Sequence, residues 1–381
     1  MGSIQHRGDR PKPWRARFNG PDGRQHSKSF ARRIDAERWL RAELRRLDRG
    51  EWLDPQAGRL TISEWAEIWL RGLTLKPKTK AGYESILCSR VLPTFGDHQL
   101  RQVTPAEIRA WMSDMAEEVG PARVRQARQL LYQMLETAVV DELIGRNPVA
   151  RVPAPSVRSR RQLFLSAHEV TLLADGYEER QEGAGTLVRF LSYTGLRWGE
   201  AVALSKSNVN IARRRVLVAK SATEVSGRLE WGTPKTHEAR TVMLPAFLAD
   251  RLEKHIEGLA ADDLVFTAPR GGPLRSSNFR RDVWAKACES SGMPEGLLVH
   301  DLRDTAASLA ISAGAWIKAV QRMLGHSSAK MTLAPMGPSS RRISRSSPTV
   351  STPASVKLMW PQRGPSGLRS LTCPGSRYLT R

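Results

Sequence analysis

Residues 194–204 read TGLRWGEAVAL, and residues 300–311 read HDLRDTAASLAI. Both set charged side chains into segments that are otherwise apolar and helical in spacing. In the first, Gly195 supplies a tight turn after the helical run TLVRFLSYT (186–194), and Arg197 stands at the start of the next helix. In the second, His300 and Arg303 are three residues apart and share one helical face. Two further segments are of the same kind. TPKTHEARTVML (233–244) puts Lys235 in a turn between strands, and LGHSS (324–328) puts His326 at the end of a helix. Alone, each is ordinary, because a lone Arg or His usually faces water or a satisfied neighbour. Their weight comes from their concentration in 162–333. There NVNIARRRVLVAKSAT (208–223), RLEWGTPKT (228–236) and EARTVMLP (238–245) read as three short strands, and helices run from FLADRLEKHIEGL (247–259) to WIKAVQRMLGH (316–326). The expected unit is a mixed α+β domain.

Upstream, residues 58–150 read as an all-α domain. TISEWAEIWLRGL (61–73) has Thr61 or Ser63 as N-cap and places Trp65, Ile68, Trp69 and Leu73 at helical spacing. TPAEIRAWMSDMAEE (104–118) carries a capping box, Thr104 with Glu107, and Pro105 in the first turn. PARVRQARQLLYQMLETAVVDELI (121–144) is a third long helix, which Gly145 can cap. The tryptophans belong to the core, while Lys76, Lys78, Lys80, Arg123, Arg125 and Arg128 form basic faces suited to phosphates. Residues 151–161, rich in Pro, Arg and Ser, read as a linker. At the front, 1–57 hold a hairpin around GPDG (20–23) and then an amphipathic helix with Ile34, Trp39, Leu40, Leu44 and Leu47 on one face, ended by Gly50. Arg15, Arg17, Arg24 and Lys28 lie on or near that hairpin, and a basic ribbon suits a DNA groove.

Composition narrows the partners. The net charge is +22, and residues 334–381 hold eight Lys/Arg and no acid, which leaves +14 on the first 333. Such an excess calls for a polyanion. No run of 18 apolar residues suggests a membrane span, and the basic, polar N-terminus is no secretory signal. Cys88, Cys288 and Cys373 are scattered without a CxxC pair, as expected for a reducing cytoplasm and no structural zinc.

TGLRWGE, PKTHEARTV, HDLRD and LGHSS, in that order, resemble the motif set of the tyrosine recombinases, the lambda-type phage integrase group. WRARFNGPDGRQHSKSFARRIDAERWL (14–40) is similar to the arm-site DNA-binding domain of such integrases, and 60–150 to their helical core-binding domain, so the resemblance spans about 11–333. It implies a site-specific recombinase that breaks and rejoins DNA through a 3′-phosphotyrosine, without metal or other cofactor. Without a metal, guanidiniums must neutralise charge on the nonbridging oxygens, the role implied for Arg197 and Arg303. Lys235 would protonate the leaving 5′-oxygen, with Lys220 the alternative; neighbouring cations lower a lysine pKa toward that task. His300 would assist proton transfer at the tyrosine, His326 would hydrogen-bond the scissile phosphate, and Glu200 would orient the site. The resemblance further implies double-stranded attachment-site DNA as partner, a homo-tetramer on two sites, accessory DNA-bending and excision proteins, no membrane, and a place at the nucleoid in a bacterial cytoplasm. The extra arm-type domain points to integration rather than chromosome-dimer resolution.

Two positions depart from the pattern. Asp304 stands where many relatives carry His. More seriously, the nucleophilic tyrosine expected near Pro335 and Met336 is missing, and no tyrosine occurs between Tyr193 and Tyr378. No Ser, Thr or Met there replaces a phenol, which is both nucleophile and stable leaving group. The tail 334–381 is dense in Ser, Pro and Arg. One reading is a divergent disordered tail; another is a shifted frame. Pro-Met-Gly-Pro-Ser-Ser (335–340) can be encoded CCN ATG GGN CCN TCN TCN, and a two-base shift permits Tyr-Gly-Pro-Leu-Phe. The chain as written is then expected to bind DNA without forming the covalent link. The alternative is an integrase remnant that only occupies attachment sites.

Overall fold

A computed structural model describes residues 2–325 apart from 51, 53, 55–56, 158–159, 161 and 235–237. Lys235, His326, Pro335, Met336 and the tail 334–381 therefore lie outside the described residues. The chain divides into two compact units, Met1–Ser159 and Arg160–Arg381.

The first unit opens with an antiparallel sheet, β1 (Gly2–His6), β2 (Trp14–Asn19) and β3 (Gln25–Phe30), with β2 in the centre. The β2–β3 hairpin turns at the expected GPDG; β1 is an addition that its short, polar sequence did not announce. Period-2 alternation splits the sheet into two faces. Ala16 and Phe18 point inward, against Ala36 and Leu40 of α1 (Arg33–Asp48) and against Trp52. Arg15 and Arg17 point outward. Ile34, assigned to the apolar face of α1, is 56% exposed, because it sits in the first turn, ahead of the packed stripe.

Five helices follow in this unit: α2 (Ile62–Gly72), α3 (Pro77–Ile86), α4 (Leu92–Phe95), α5 (Pro105–Glu118) and α6 (Pro121–Val140), with a π-helical turn at Leu87–Val91 joining α3 to α4. Thr61, not Ser63, caps α2, forming a capping box with Glu64; Thr104 and Glu107 do the same for α5. Prolines at the first positions of α3, α5 and α6 cost nothing, since those N–H groups have no helical partner. Trp65, Trp69 and Trp111 are core residues with their N–H groups satisfied: Trp65 Nε1 donates to Met134 O at 2.9 Å and Trp111 Nε1 to Arg90 O at 2.9 Å. Helix α6 stops at Val140, short of the expected Ile144. Glu142 takes a left-handed φ of 57°, and the Leu143 and Ile144 N–H groups fold back onto Ala138 O, which buries Ile144 in the core. That apolar return, rather than Gly145, ends the helix.

The second unit is built around α8 (Ala184–Thr194), every residue of which is buried. Packed on it are α7 (Ala167–Glu178), α10 (Ala246–His255) and α13 (Asp301–Ser312), with α9 (Trp198–Val202), α11 (Ser276–Asn278), α12 (Ala285–Ser290) and α14 (Ile317–Leu324) completing the helices of this unit among the described residues. The expected first strand is three: β4 (Val209–Asn210), β5 (Arg215–Val218) and β6 (Ser221–Val225). Arg214 makes the β4–β5 turn at a φ of 48°, which the basic run RRR concealed. With β7 (Arg228–Gly232) and β8 (Arg240–Met243) they form a sheet β4-β5-β8 and a separate hairpin β6-β7. Among the described residues, no helix is long and apolar enough to cross a membrane.

Replacing Thr104 by Ala should cost about 1 kcal/mol, since its hydroxyl satisfies an otherwise orphaned helix N–H. Urea unfolding of the variant against the parent, with unchanged m-value, checks this.

Candidate active site

Gly195 ends α8 with a φ of 65°, and a Cβ there would lie 2.5 Å from Leu324 Cδ2. Glycine is therefore required both for the turn and for the approach of α14. The turn delivers Arg197 as the N-cap of α9, and Glu200 follows in its first turn. Glu200 is 1% exposed, yet its carboxylate is fully engaged. It accepts from Arg197 N at 2.9 Å, Arg197 Nη1 at 2.9 Å, Arg240 Nη1 at 3.0 Å and Arg240 Nη2 at 2.6 Å. Burial alone would push this carboxyl up. The Arg240 and Arg197 guanidiniums overrule it and hold the pKa below the usual 4.5.

Arg240 also donates from Nε to Met323 O at 3.0 Å. Arg303, in the first turn of α13 and 3% exposed, donates to Gly195 O from one Nη and to Leu324 O from the other. Two guanidiniums thus grip the last carbonyls of α14, where the helix dipole is negative. Gly325 then turns the chain at a φ of 64°, with room for a Cβ only 3.2 Å from Arg240 Cδ. Burial first, then the charges of Arg197 and Arg240, pull the Arg303 pKa down to about 9, with Glu200 opposing; it stays charged at neutral pH. Three guanidiniums thus gather around the one buried carboxylate of Glu200, with Asp304 also acting on Arg303.

His300 precedes α13 and is exposed. It stands near half-buried Asp304, whose pKa is raised by burial and lowered in part by His300. Between them, Asp301 is buried and takes a two-pronged ion pair from Arg160, at 3.1 and 2.5 Å. Of the expected set, the structure brings together Arg197, Glu200 and Arg303, with His300 at the start of the helix that carries Arg303. Lys235 and His326 are outside the described residues; the strands that flank Lys235, β7 and β8, are present, and Lys220 is exposed between β5 and β6. Arg240 was missed by sequence reasoning. The signal was a second cation needed by a carboxylate set in an apolar helix. Tyr177 and Tyr193 cannot stand in as nucleophiles: they are 0% and 4% exposed, and burial pushes both phenols up.

The basic residues of the first unit fall into separate groups. Arg15 and Arg17 share the outer face of the sheet, Arg24 lies in the hairpin turn, and Lys28 pairs with Ala16 and so belongs to the opposite face. Lys76, Lys78 and Lys80 are exposed at the start of α3; in the first turns of α6 Arg125 is exposed and Arg123 half-buried. Arg128 is turned inward, donating to Val149 O and Val152 O.

Because the Glu200 pKa is lowered on folding, its stabilisation is fully present above about pH 4.5 and is lost as pH falls through the folded value. Glu200→Gln should lose roughly 3–5 kcal/mol at pH 7, the cost of stranding buried partners. It should also lose stability less steeply than the parent below pH 4.5. Urea unfolding across pH 3–7 checks both.

Comparison with known proteins finds relatives along most of the chain. The model for the phage integrase family matches residues 164–334, the phage integrase N-terminal SAM-like domain matches 61–116, and the phage integrase N-terminal domain matches 9–49. The prophage phiRv2 integrase of Mycobacterium tuberculosis is 32% identical over 341 residues, covering 84% of this chain and 87% of its own. The integrase of Mycobacterium phage D29 is 29% identical over 332 residues, covering 83% and 85%. Among solved structures, a lambda integrase dimer bound to a core site superposes with a TM-score of 0.60 at 20% identity, over 91% of this chain and 97% of that one. The chain belongs to the phage integrase family.

Proposed function

We propose that this chain is the DNA-binding and phosphate-activating scaffold of a site-specific recombinase whose own nucleophile is absent from the expected position. The observation that carries the reading is the cluster of Arg197, Arg240 and Arg303 around the single carboxylate of Glu200. A phosphodiester entering it meets preorganised charge that needs no rearrangement as negative charge grows on the nonbridging oxygens. Arg197, whose side chain is 24% exposed and partly committed to Glu200, is the cation that meets the phosphate from solvent. Arg303 and Arg240 act from behind. They fix the end of α14, after which His326 follows, and Arg240 opens the strand that follows the Lys235 turn.

The motif match supplies the remaining roles: Lys235 as proton donor to the leaving oxygen, His300 and His326 as proton and phosphate partners, and no metal. The partner is double-stranded attachment-site DNA. The sheet of the first unit meets arm-type sites, and the basic starts of α3 and α6 meet the core site. Lambda integrase is known bound to a Holliday junction as a tetramer, and a homo-tetramer on two sites is the assembly proposed here, with accessory DNA-bending and excision proteins. The setting is the nucleoid of a bacterial cytoplasm. The domains are arm-type (1–57), core-binding (58–150), linker (151–161) and catalytic (162–333).

A second reading, a non-catalytic occupant of attachment sites, is favoured by the sequence itself. The family match ends at residue 334, and no tyrosine stands near Pro335 or Met336. A nicked core-site duplex that traps the covalent intermediate tests both the loss of the nucleophile and the binding of DNA. The chain as written is expected to retain the duplex, to lose much of that retention with Arg197→Ala, and to form no covalent complex. A covalent protein–DNA band would overturn the loss of the nucleophile; no retention of any duplex would overturn the DNA-binding reading.

A further inference from the structure

The outer face of the N-terminal sheet is uniform in chemistry. In register across it stand Ser3 and Gln5 of β1, Arg15 and Arg17 of β2, and Ser27 and Ser29 of β3. None of these is acidic or apolar, whereas the other face is closed against α1. Both arginines are held in place by hydroxyls. Arg17 Nε donates to Ser3 Oγ at 2.9 Å, and Arg15 Nη2 donates to Ser27 Oγ at 2.7 Å. Among the described residues, neither forms an ion pair with a carboxylate. With its Nε on Ser3, Arg17 keeps both terminal nitrogens, the fork, uncommitted among the described residues.

Position on the sheet sets the spacing. β2 is the central strand, so its outward side chains lie on the midline of the face. Three strands about 4.8 Å apart span roughly 10 Å, which fits the ~12 Å major groove. Residues two apart on a strand are separated by ~6.7 Å, and two base steps along B-DNA by ~6.8 Å. A central strand running along the groove therefore brings Arg15 and Arg17 to base pairs two steps apart. In the major groove, guanine alone offers two acceptors side by side, O6 and N7, the match for a guanidinium fork.

We propose that Arg15 and Arg17 read two guanines on base pairs two steps apart, from the major groove of the DNA that this sheet binds. The inference rests on the DNA-binding reading above and adds a base code to it. Ser3, Gln5, Ser27 and Ser29 flank the pair on both sides, where short hydroxyl and amide groups meet the groove walls. Arg7, in the turn after β1, joins the patch. Its pKa is lowered by desolvation and then by the charges of Arg15, Arg10 and Arg17, so the four cations lie within electrostatic reach of one another. They supply the attraction that brings the duplex in, while the fork geometry supplies the selection.

The test is selection of duplexes from a random library by the full-length chain and by Arg15→Ala, Arg17→Ala and Arg17→Lys. The parent is expected to enrich guanine–any base–guanine. Arg15→Ala should lose the preference at one guanine and Arg17→Ala at the other, each by roughly 5- to 150-fold in affinity. A 7-deazaguanine at the corresponding position, which lacks the N7 acceptor, should reproduce each loss in the parent. Arg17→Lys keeps the charge and removes the fork, so it should keep the salt dependence and lose the discrimination. A preference that survives all three substitutions overturns the proposal alone. So does a uniform weakening with a salt slope lower by about one per arginine, the mark of a phosphate contact. A parent chain that retains no duplex overturns the DNA-binding reading itself.

Discussion

A carboxylate buried among guanidiniums holds the second unit's chemistry in place. Glu200 has no access to water, so its charge is tolerable only while Arg197 and Arg240 both donate to it. That requirement fixes the angle at which α9 leaves the Gly195 turn and the position of β8 relative to α9. It also aims the Arg240 Nε at α14. Removing the carboxylate would strand cations; removing one cation would strand the carboxylate. The arrangement is held by mutual need rather than by net attraction, since ion pairs out of water gain little over apolar packing. What it provides is geometry.

Much of this was legible in the chain. Gly195, Arg197 and Glu200 stand within six residues, so local helix and turn rules place them, and the capping box at Thr104 marks a helix start as written. The hairpin at GPDG was equally local. What stayed hidden depends on partners far away in sequence. Arg240 looks like one more basic residue of a basic strand until α9 and α14 are packed against it. Lys28 reads as a neighbour of Arg15 and Arg17, and only the register opposite Ala16 moves it to the other face. Arg128 reads as a phosphate ligand, yet the return of the chain after α6 offers it two carbonyls first. The end of α6 itself was decided by burial of Ile144, which no local turn residue announces.

The two units use arginine in opposite ways. In the first, Arg15 and Arg17 are steadied by single hydroxyls and keep most of their donors for a partner. In the second, Arg240 and Arg303 commit donors to a carboxylate and to backbone carbonyls, and act as structure. Arg197 lies between these extremes, with one terminal nitrogen on Glu200 and the rest open. The same side chain is thus left open, half-committed or built into the frame according to how much of its fork the fold consumes.

The grip of Arg303 on Gly195 O and Leu324 O also has a meaning in time. Those bonds join residues 108 and 21 positions apart, and the Arg240 bond to Met323 O joins residues 83 apart. Contacts of such range form late, after the loop closures that precede them have been made. As the chain emerges from the ribosome, Arg197 and Glu200 are synthesised well over a hundred residues before α14 exists to be held. Until then the nascent chain carries Arg197, Arg240 and Arg303 with no α14 carbonyls to brace against. Only when the helix ending at Leu324 is in place does the cluster acquire one fixed shape, so its geometry waits on α14, the last element made among those described.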